Sequence, residues 1–200
     1  PASLTGELVI PDSVTSISDG VFYNCSGLTS LTLGSGVISI GENAFYNCSG
    51  LTGELIIPDS VTSIGSSAFT SCSKLTSLTL GSGVTSIGNY AFDGCSGLTG
   101  ELIIPDRVIS ISDGAFSNCN KLSSLTLGSG VTSIGSSAFS SCTGLTSITC
   151  KSSIAPSINS NTFSNVKEGG ILYYPSGSDY SKWLSTLGNY NWTGVPIQMN

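Results

Sequence analysis

Phenylalanine falls at positions 22, 45, 69, 92, 116, 139 and 163, at separations that alternate between 23 and 24 residues. Cys25, Cys48, Cys72, Cys95, Cys119 and Cys142 each follow a phenylalanine by three residues, and Leu4, Leu28, Leu51, Leu75, Leu98, Leu122 and Leu145 open the units. A period of this length marks a repeat architecture, in which every unit is one small structural element that stacks on the next. Six units between Leu4 and Gly144 are nearly interchangeable, and a seventh opening at Leu145 is degenerate.

Two kinds of unit alternate. The longer reads LTGELIIPDSVTSIGSSAFTSCSK (51–74) and the shorter LTSLTLGSGVISIGENAFYNCSG (28–50), so a pair spans 47 residues. The segments ELII and SLTL alternate apolar and polar residues, the period-2 signature of a half-buried strand. Pro58-Asp59 or Gly34-Ser35-Gly36 then ends the strand with turn chemistry. Val61 and Ile64, then Ala68, Phe69 and Cys72, return apolar groups at spacings that suit a short extended piece followed by a helical turn. One unit alone buries too little apolar surface to offset the ordering of its residues. Stacked units bury each other's faces and add backbone hydrogen bonds along a parallel ladder.

The sequence therefore predicts a seven-repeat solenoid over residues 1–168, with one parallel strand and a short helical turn per unit. Residues 169–200 are expected to form a capping segment of the same domain. Within it Ile171-Leu172-Tyr173-Tyr174-Pro175 reads as a final strand, followed by a helix capped by Ser178 and stopped by Gly188. Tyr180, Trp183, Leu184 and Leu187 lie at i, i+3, i+4 and i+7 and form one apolar face for closing the last rung. Residues 189–200, with Trp192 and Ile197, complete the cap. The first unit has no equivalent cover, which implies upstream sequence or self-association there. Pro1-Ala2-Ser3 leads directly into that unit, so any export signal is expected upstream.

The pattern L-x-x-(x)-L-x-(L/I)-(P/G)-x-x-V-x-x-I-x-x-x-A-F-x-x-C, as in Leu51 to Cys72, resembles the BspA-like leucine-rich repeats of bacterial surface proteins. The closing ILYYPSGSDYSKWLSTLGNYNW is similar to the carboxyl-terminal segment such arrays often carry. In the seventh unit Val166 replaces the cysteine and Thr162 the alanine, which departs from the pattern locally. The resemblance implies a leucine-rich-repeat solenoid, exported or displayed on a bacterial surface. It further implies attachment to host matrix proteins, host cells or other microbes.

Composition narrows the function classes. The formal net charge is −6, with only six basic residues and no basic run, which argues against a nucleic-acid partner. No apolar stretch approaches the ~18 to 20 residues that span a bilayer. The absence of histidine removes Ser-His-Asp and Cys-His catalysis and His-containing zinc sites. Glu7, Glu54 and Glu101 recur every second unit, and Asp12, Asp59 and Asp106 recur just past the strands. Those spacings, ~10 Å and ~16 Å, suit neither a shared metal nor a carboxylate pair for glycoside chemistry. Cysteines repeated once per rung stack as a column pointing one way, which favours buried thiols over disulfides. No catalytic, cofactor-binding or metal-binding residue is assigned.

The outward strand face is the candidate binding surface. One column reads Glu7, Ser30, Glu54, Ser77, Glu101, Ser124 and Ser147, and the other Val9, Thr32, Ile56, Thr79, Ile103, Thr126 and Thr149. Val9, Ile56 and Ile103 are outward apolar residues that solubility does not require, although strand propensity alone also favours β-branched side chains. Tyr23, Tyr46 and Tyr90 are not demanded by the repeat and would support glycan binding if they shared a grooved surface. Three roles follow. The first is a non-enzymatic secreted or surface scaffold for protein–protein interaction or adhesion. The second is a carbohydrate-binding module of a larger polysaccharide-handling protein, and the third a structural spacer.

Overall fold

The computed structural model describes residues 3–199; Pro1, Ala2 and Asn200, read above as the head of the first unit and the end of the cap, lie outside them. Each of the first six units contributes one long strand and one two-residue strand. In chain order these are Thr5–Ile10 (β1) and Ser16–Ile17 (β2), Gly27–Leu33 (β3) and Ser39–Ile40 (β4), Gly53–Ile56 (β5) and Ser63–Ile64 (β6). They continue with Leu75–Thr79 (β7) and Ser86–Ile87 (β8), Gly100–Ile104 (β9) and Ser110–Ile111 (β10), Leu122–Leu127 (β11) and Ser133–Ile134 (β12). The seventh unit supplies Ser147–Cys150 (β13), and the cap supplies Ile171–Pro175 (β14), the helix Ser181–Gly188 (α1) and Thr193–Ile197 (β15). All pairings among the described residues are parallel, so the chain coils in one sense as a solenoid, with a single α-helix between its last two strands.

The short extended piece expected around Ile64 is a ladder in its own right. The two-residue strands form one six-stranded sheet in the order β12-β10-β8-β6-β4-β2, with each serine opposite a serine and each isoleucine opposite an isoleucine. The following turn is wound by i→i+3 bonds, such as Ala68 N–H to Gly65 O, Thr70 N–H to Ser67 O and Cys72 N–H to Phe69 O. The alternate amides donate to the next unit instead: Ser67 to Asn89 O, Phe69 to Ala91 O and Ser71 to Asp93 O, each at 2.7 Å. Ser67 and Ser71 sit at φ +54° and +62° to permit this alternation. Asparagine or glycine, each tolerant of the left-handed region, holds these places in other units, as at Asn43, Asn47 and Gly114, whereas Ser137, Ser141 and Tyr90 adopt it without that preference. The turn column is thus a third inter-unit ladder, which satisfies the buried backbone without a regular helix.

The core is a set of files along the solenoid axis. Phe22, Phe45, Phe69, Phe92, Phe116, Phe139 and Phe163 stack face to face at 5.1–5.6 Å with interplanar angles of 4–17°. Trp183 closes the file, 5.3 Å from Phe163 and tilted by 52°. The cysteines run beside it. Cys48, Cys72, Cys95, Cys119 and Cys142 donate their S–H to the phenylalanine carbonyl of the preceding unit at 3.2–3.3 Å. Those five and Cys150 are free thiols. Burial pushes Cys48, Cys95 and Cys142 up to about 12 and holds Cys72 and Cys119 well above the ordinary thiol value. Val166 fills the same place in the seventh unit and is buried, and Thr162 keeps its hydroxyl satisfied by donating to Gly135 O.

The cap differs in detail from its sequence reading. Ser178 does not cap the helix: Tyr180 occupies the N-cap, and the Asp179 carboxylate accepts the Ser181 N–H at 2.9 Å. Tyr180 is turned inward, donating its hydroxyl to Ser152 O at 2.7 Å beside the Cys150 sulfur, so it cannot also present a side-chain cap. Gly188 is the last helical residue and Asn189 the C-cap. Residues 193–197, expected only as cap packing, add β15 as a further parallel strand on β14.

Candidate binding face

Period-2 alternation sends Leu55 and Ile57 inward, where both are 1% exposed, and sends Glu54 and Ile56 outward. The register places the two candidate columns side by side. Glu7 lies opposite Ser30 and Val9 opposite Thr32; Glu54 pairs with Ser77 and Ile56 with Thr79; Glu101 pairs with Ser124 and Ile103 with Thr126. Val9, Ile56 and Ile103 are 57%, 55% and 52% exposed. Glu7, Glu54, Glu101, Thr32 and Thr79 are also exposed, while Ser30, Ser77, Ser124 and Thr126 are half-buried. Beyond them the columns continue through Ser147 and Thr149 to Ile171 and Tyr173.

The face is acidic and partly preset. Thr79 donates its hydroxyl to Glu54 Oε1 at 2.7 Å, and Thr126 does the same to Glu101 at 2.6 Å. None of the six basic residues belongs to either column. The recurring aspartates have a structural task that spacing did not reveal. Asp12 Oδ1 accepts both the N–H and the hydroxyl of Ser35, at 2.7 and 3.0 Å, and Asp59 repeats the pair with Ser82 at the same distances. Asp106 accepts the Ser129 N–H at 2.8 Å. These bonds hold Asp12 and Asp59 below the usual carboxylate value. Each long unit thereby grips the short unit that follows it. The fit needs glycine in the short unit: a Cβ on Gly81 would meet Pro58 O at 2.2 Å.

The expected unbroken ladder is interrupted on this face. The long strands form three separate groups, β1-β3, β5-β7 and β9-β11-β13-β14-β15. The breaks precede β5 and β9, the two strands that begin with a left-handed glycine, Gly53 at φ +76° and Gly100 at +73°. In the pairing with the next strand the register slips at the same glycines, and the extra residue, Thr76 or Ser123, belongs to that next strand, as at a bulge. No break precedes β13, whose unit opens Leu145-Thr146-Ser147 without that glycine. The openings are local, because Thr52 N–H still reaches Thr29 O and Thr99 N–H reaches Thr76 O, each at 3.0 Å.

Each break leaves a cleft. The first, about 230 Å³, is lined by Leu31, Thr32, Leu33, Glu54 and Ile56. The second, about 280 Å³, is lined by the equivalent Leu78, Thr79, Leu80, Glu101 and Ile103, with Ser77. Leu31 and Leu78 are half-buried there, whereas Leu125, in the closed ladder, is 1% exposed. A sequence signal for the clefts exists in the alternating 23- and 24-residue spacing and in Gly53 and Gly100, but it becomes legible only once the strands are paired.

Other surface features fall elsewhere. Tyr23 and Tyr46 stack at 4.8 Å and 5°, but Tyr90 belongs to a unit two rungs further on, where its ring covers Gly114. Tyr90 therefore stands apart from the Tyr23–Tyr46 stack. Ile38 and Ile109, 50% and 57% exposed, stand beside the short-strand ladder in file with Thr15, Thr62, Thr85 and Thr132. They were not among the sequence candidates, and the signal was the change from VTSI to VISI in two units. Among the described residues no group of three or more potential metal ligands converges, and no helix is long and apolar enough to cross a membrane.

Comparison with known proteins agrees with this geometry. A leucine-rich repeat protein of T. pallidum superposes with a TM-score of 0.69 at 23% identity, covering 96% of this chain and 86% of that one. The pneumococcal vaccine antigen PcpA superposes with a TM-score of 0.56 at 17% identity, covering 97% of this chain and 68% of that one. These likenesses concern the fold. No curated protein sequence matches the chain. The family model described as the BspA type leucine-rich repeat region matches in six copies, over residues 3–100 and 87–181. With that match spanning most of the sequence, and with the files of leucine, phenylalanine and cysteine stacked as the motif requires, the chain belongs to the BspA-type leucine-rich repeat family.

Proposed function

We propose that this chain is a non-catalytic binding scaffold, displayed or secreted outside a bacterial cell, that engages a protein partner through its long-strand face. The observation that carries this reading is the file of Val9, Ile56 and Ile103, each more than half exposed on an otherwise polar wall. Solvent contact makes apolar side chains costly, and their recurrence every second unit forms a surface that a partner would cover. Glu7, Glu54 and Glu101, with Ser30, Thr32, Ser77, Thr79, Ser124 and Thr126, supply the polar surround. Membership of the leucine-rich repeat family supports a scaffold role. An extracellular setting is supported by the fold it shares with PcpA, which is described as a vaccine antigen. We assign residues 1–168 to the array and 169–200 to the cap of the same domain.

The test is a binding screen of the purified array against extracellular matrix proteins, cell-surface proteins and glycans, run beside the double variant Ile56→Asp, Ile103→Asp. A protein ligand should be found whose affinity falls at least ~10-fold in the variant, since burying an unpaired charge costs more than ~1.4 kcal/mol, while circular dichroism stays unchanged. Unaltered affinity with an unaltered spectrum moves the site off this face. A glycan as the sole ligand replaces the protein-partner reading.

A further inference from the structure

The two clefts are the same site built twice. Each lies where a strand that opens on a left-handed glycine leaves its predecessor, each has a half-buried leucine in its floor, and each has one exposed isoleucine and one glutamate at its rim. Leu31, Ile56 and Glu54 in the first correspond to Leu78, Ile103 and Glu101 in the second, 47 residues on in every case. Volumes of about 230 and 280 Å³ are too small for a packed element and admit one apolar side chain apiece.

We infer that the paired clefts receive one polypeptide segment in an extended, polyproline-type conformation, lying along the solenoid axis, with an apolar side chain in each cleft and basic residues between and beside them. This deepens the protein-partner reading of the same face and rests on it. Spacing supports the conformation. The clefts are two units apart, and successive core rings step by 5.1–5.3 Å, so the repeat along the axis is about 10 Å. A polyproline helix returns every third side chain to the same face after ~9.3 Å, whereas a β-strand returns every second after ~6.6–6.8 Å. An α-helix returns its seventh after ~10.5 Å, but its intervening i+3 and i+4 side chains would fall on the paired β5-β7 rungs between the clefts. Charge supports the basic residues. Glu54 and Glu101 are each held through Oε1 by a threonine hydroxyl, which leaves Oε2 to accept from a partner without reorganising. Arg107 lies in a neighbouring hollow, which shares Leu80 and Ile103 with the second cleft, alongside Asp59 and Asp106, whose charges outnumber it.

The test uses fluorescent synthetic peptides and the intact array. One peptide is a proline-rich host with two leucines three residues apart and flanking lysines. A second spaces the leucines by two, a third is a helical peptide spacing them by seven, and a fourth replaces lysine with glutamate. The first peptide should bind at least ~10-fold more tightly than the others, which corresponds to ~1.4 kcal/mol. Thr32→Trp with Thr79→Trp, which fills both clefts from exposed positions, should abolish the preference. Glu54→Gln with Glu101→Gln should weaken binding and flatten its dependence on salt between ~0.05 and ~0.5 M. No binding of the first peptide, equal binding of all four, or binding indifferent to both variant pairs overturns the proposal. Preference for the helical peptide overturns the assigned conformation. If a protein ligand from the screen needs Ile56 and Ile103 but ignores the cleft-filling and Glu→Gln variants, this inference fails while the broader reading stands.

Discussion

Replacing Phe92 with alanine removes a ring from the middle of the aromatic file. The ring is fully buried and stacked between Phe69 at 5.3 Å and Phe116 at 5.2 Å, nearly parallel to both. Losing its burial costs about 2 kcal/mol. A residual cavity on the order of 100 Å³, at about 24 cal/mol per Å³, adds about 2 more, for a total near 4. Phe22→Ala is the internal control, since Phe22 is only half-buried and stacks on Phe45 alone among the described residues. Its loss should cost about half as much. Each unit touches only its neighbours, so damage at the fourth unit also weakens the coupling of the two halves. Urea unfolding followed by circular dichroism should show a large fall in midpoint and a broader transition for Phe92→Ala, and a smaller fall at unchanged slope for Phe22→Ala. Equal effects of the two substitutions, or a Tm for Phe92→Ala within about a degree of the parent, would refute the load placed on the file.

Two further outcomes follow from ionisable groups. Asp12 and Asp59 are held below their ordinary value near 3.8 by the Ser35 and Ser82 amides and hydroxyls. A depressed folded value stabilises the fold above the ordinary value, and that stabilisation is lost as pH falls through the folded one. The urea midpoint of the parent should therefore drop more steeply below about pH 4 than that of Asp12→Asn with Asp59→Asn; parallel curves would contradict the linkage. The thiols of Cys72, Cys95 and Cys119 are buried and raised, so at about pH 8 they hold almost no thiolate. A thiol reagent should label them only at the rate of unfolding, and rapid labelling of Cys119 in the native array would remove it from the core.

Much of this molecule was written in its period. The spacing of phenylalanine, cysteine and leucine determined that the chain coils, which residues face inward, and that Val9, Ile56 and Ile103 share an outward column, because side-chain direction along a strand follows from local alternation alone. The cap helix was legible in the same way from Trp183, Leu184 and Leu187. Its N-cap was misplaced at Ser178 because Tyr180 is drawn inward by Ser152, a contact 28 residues distant. Tertiary structure alone decided how neighbouring units meet. Asp59 grips Ser82 across 23 residues of chain, β5, which opens on the left-handed Gly53, parts from the strand before it, and the face opens into two clefts instead of running as one wall. Repetition in sequence specifies each rung. The gap between rungs is a through-space balance of backbone bonds and close glycine contacts, which no single unit contains.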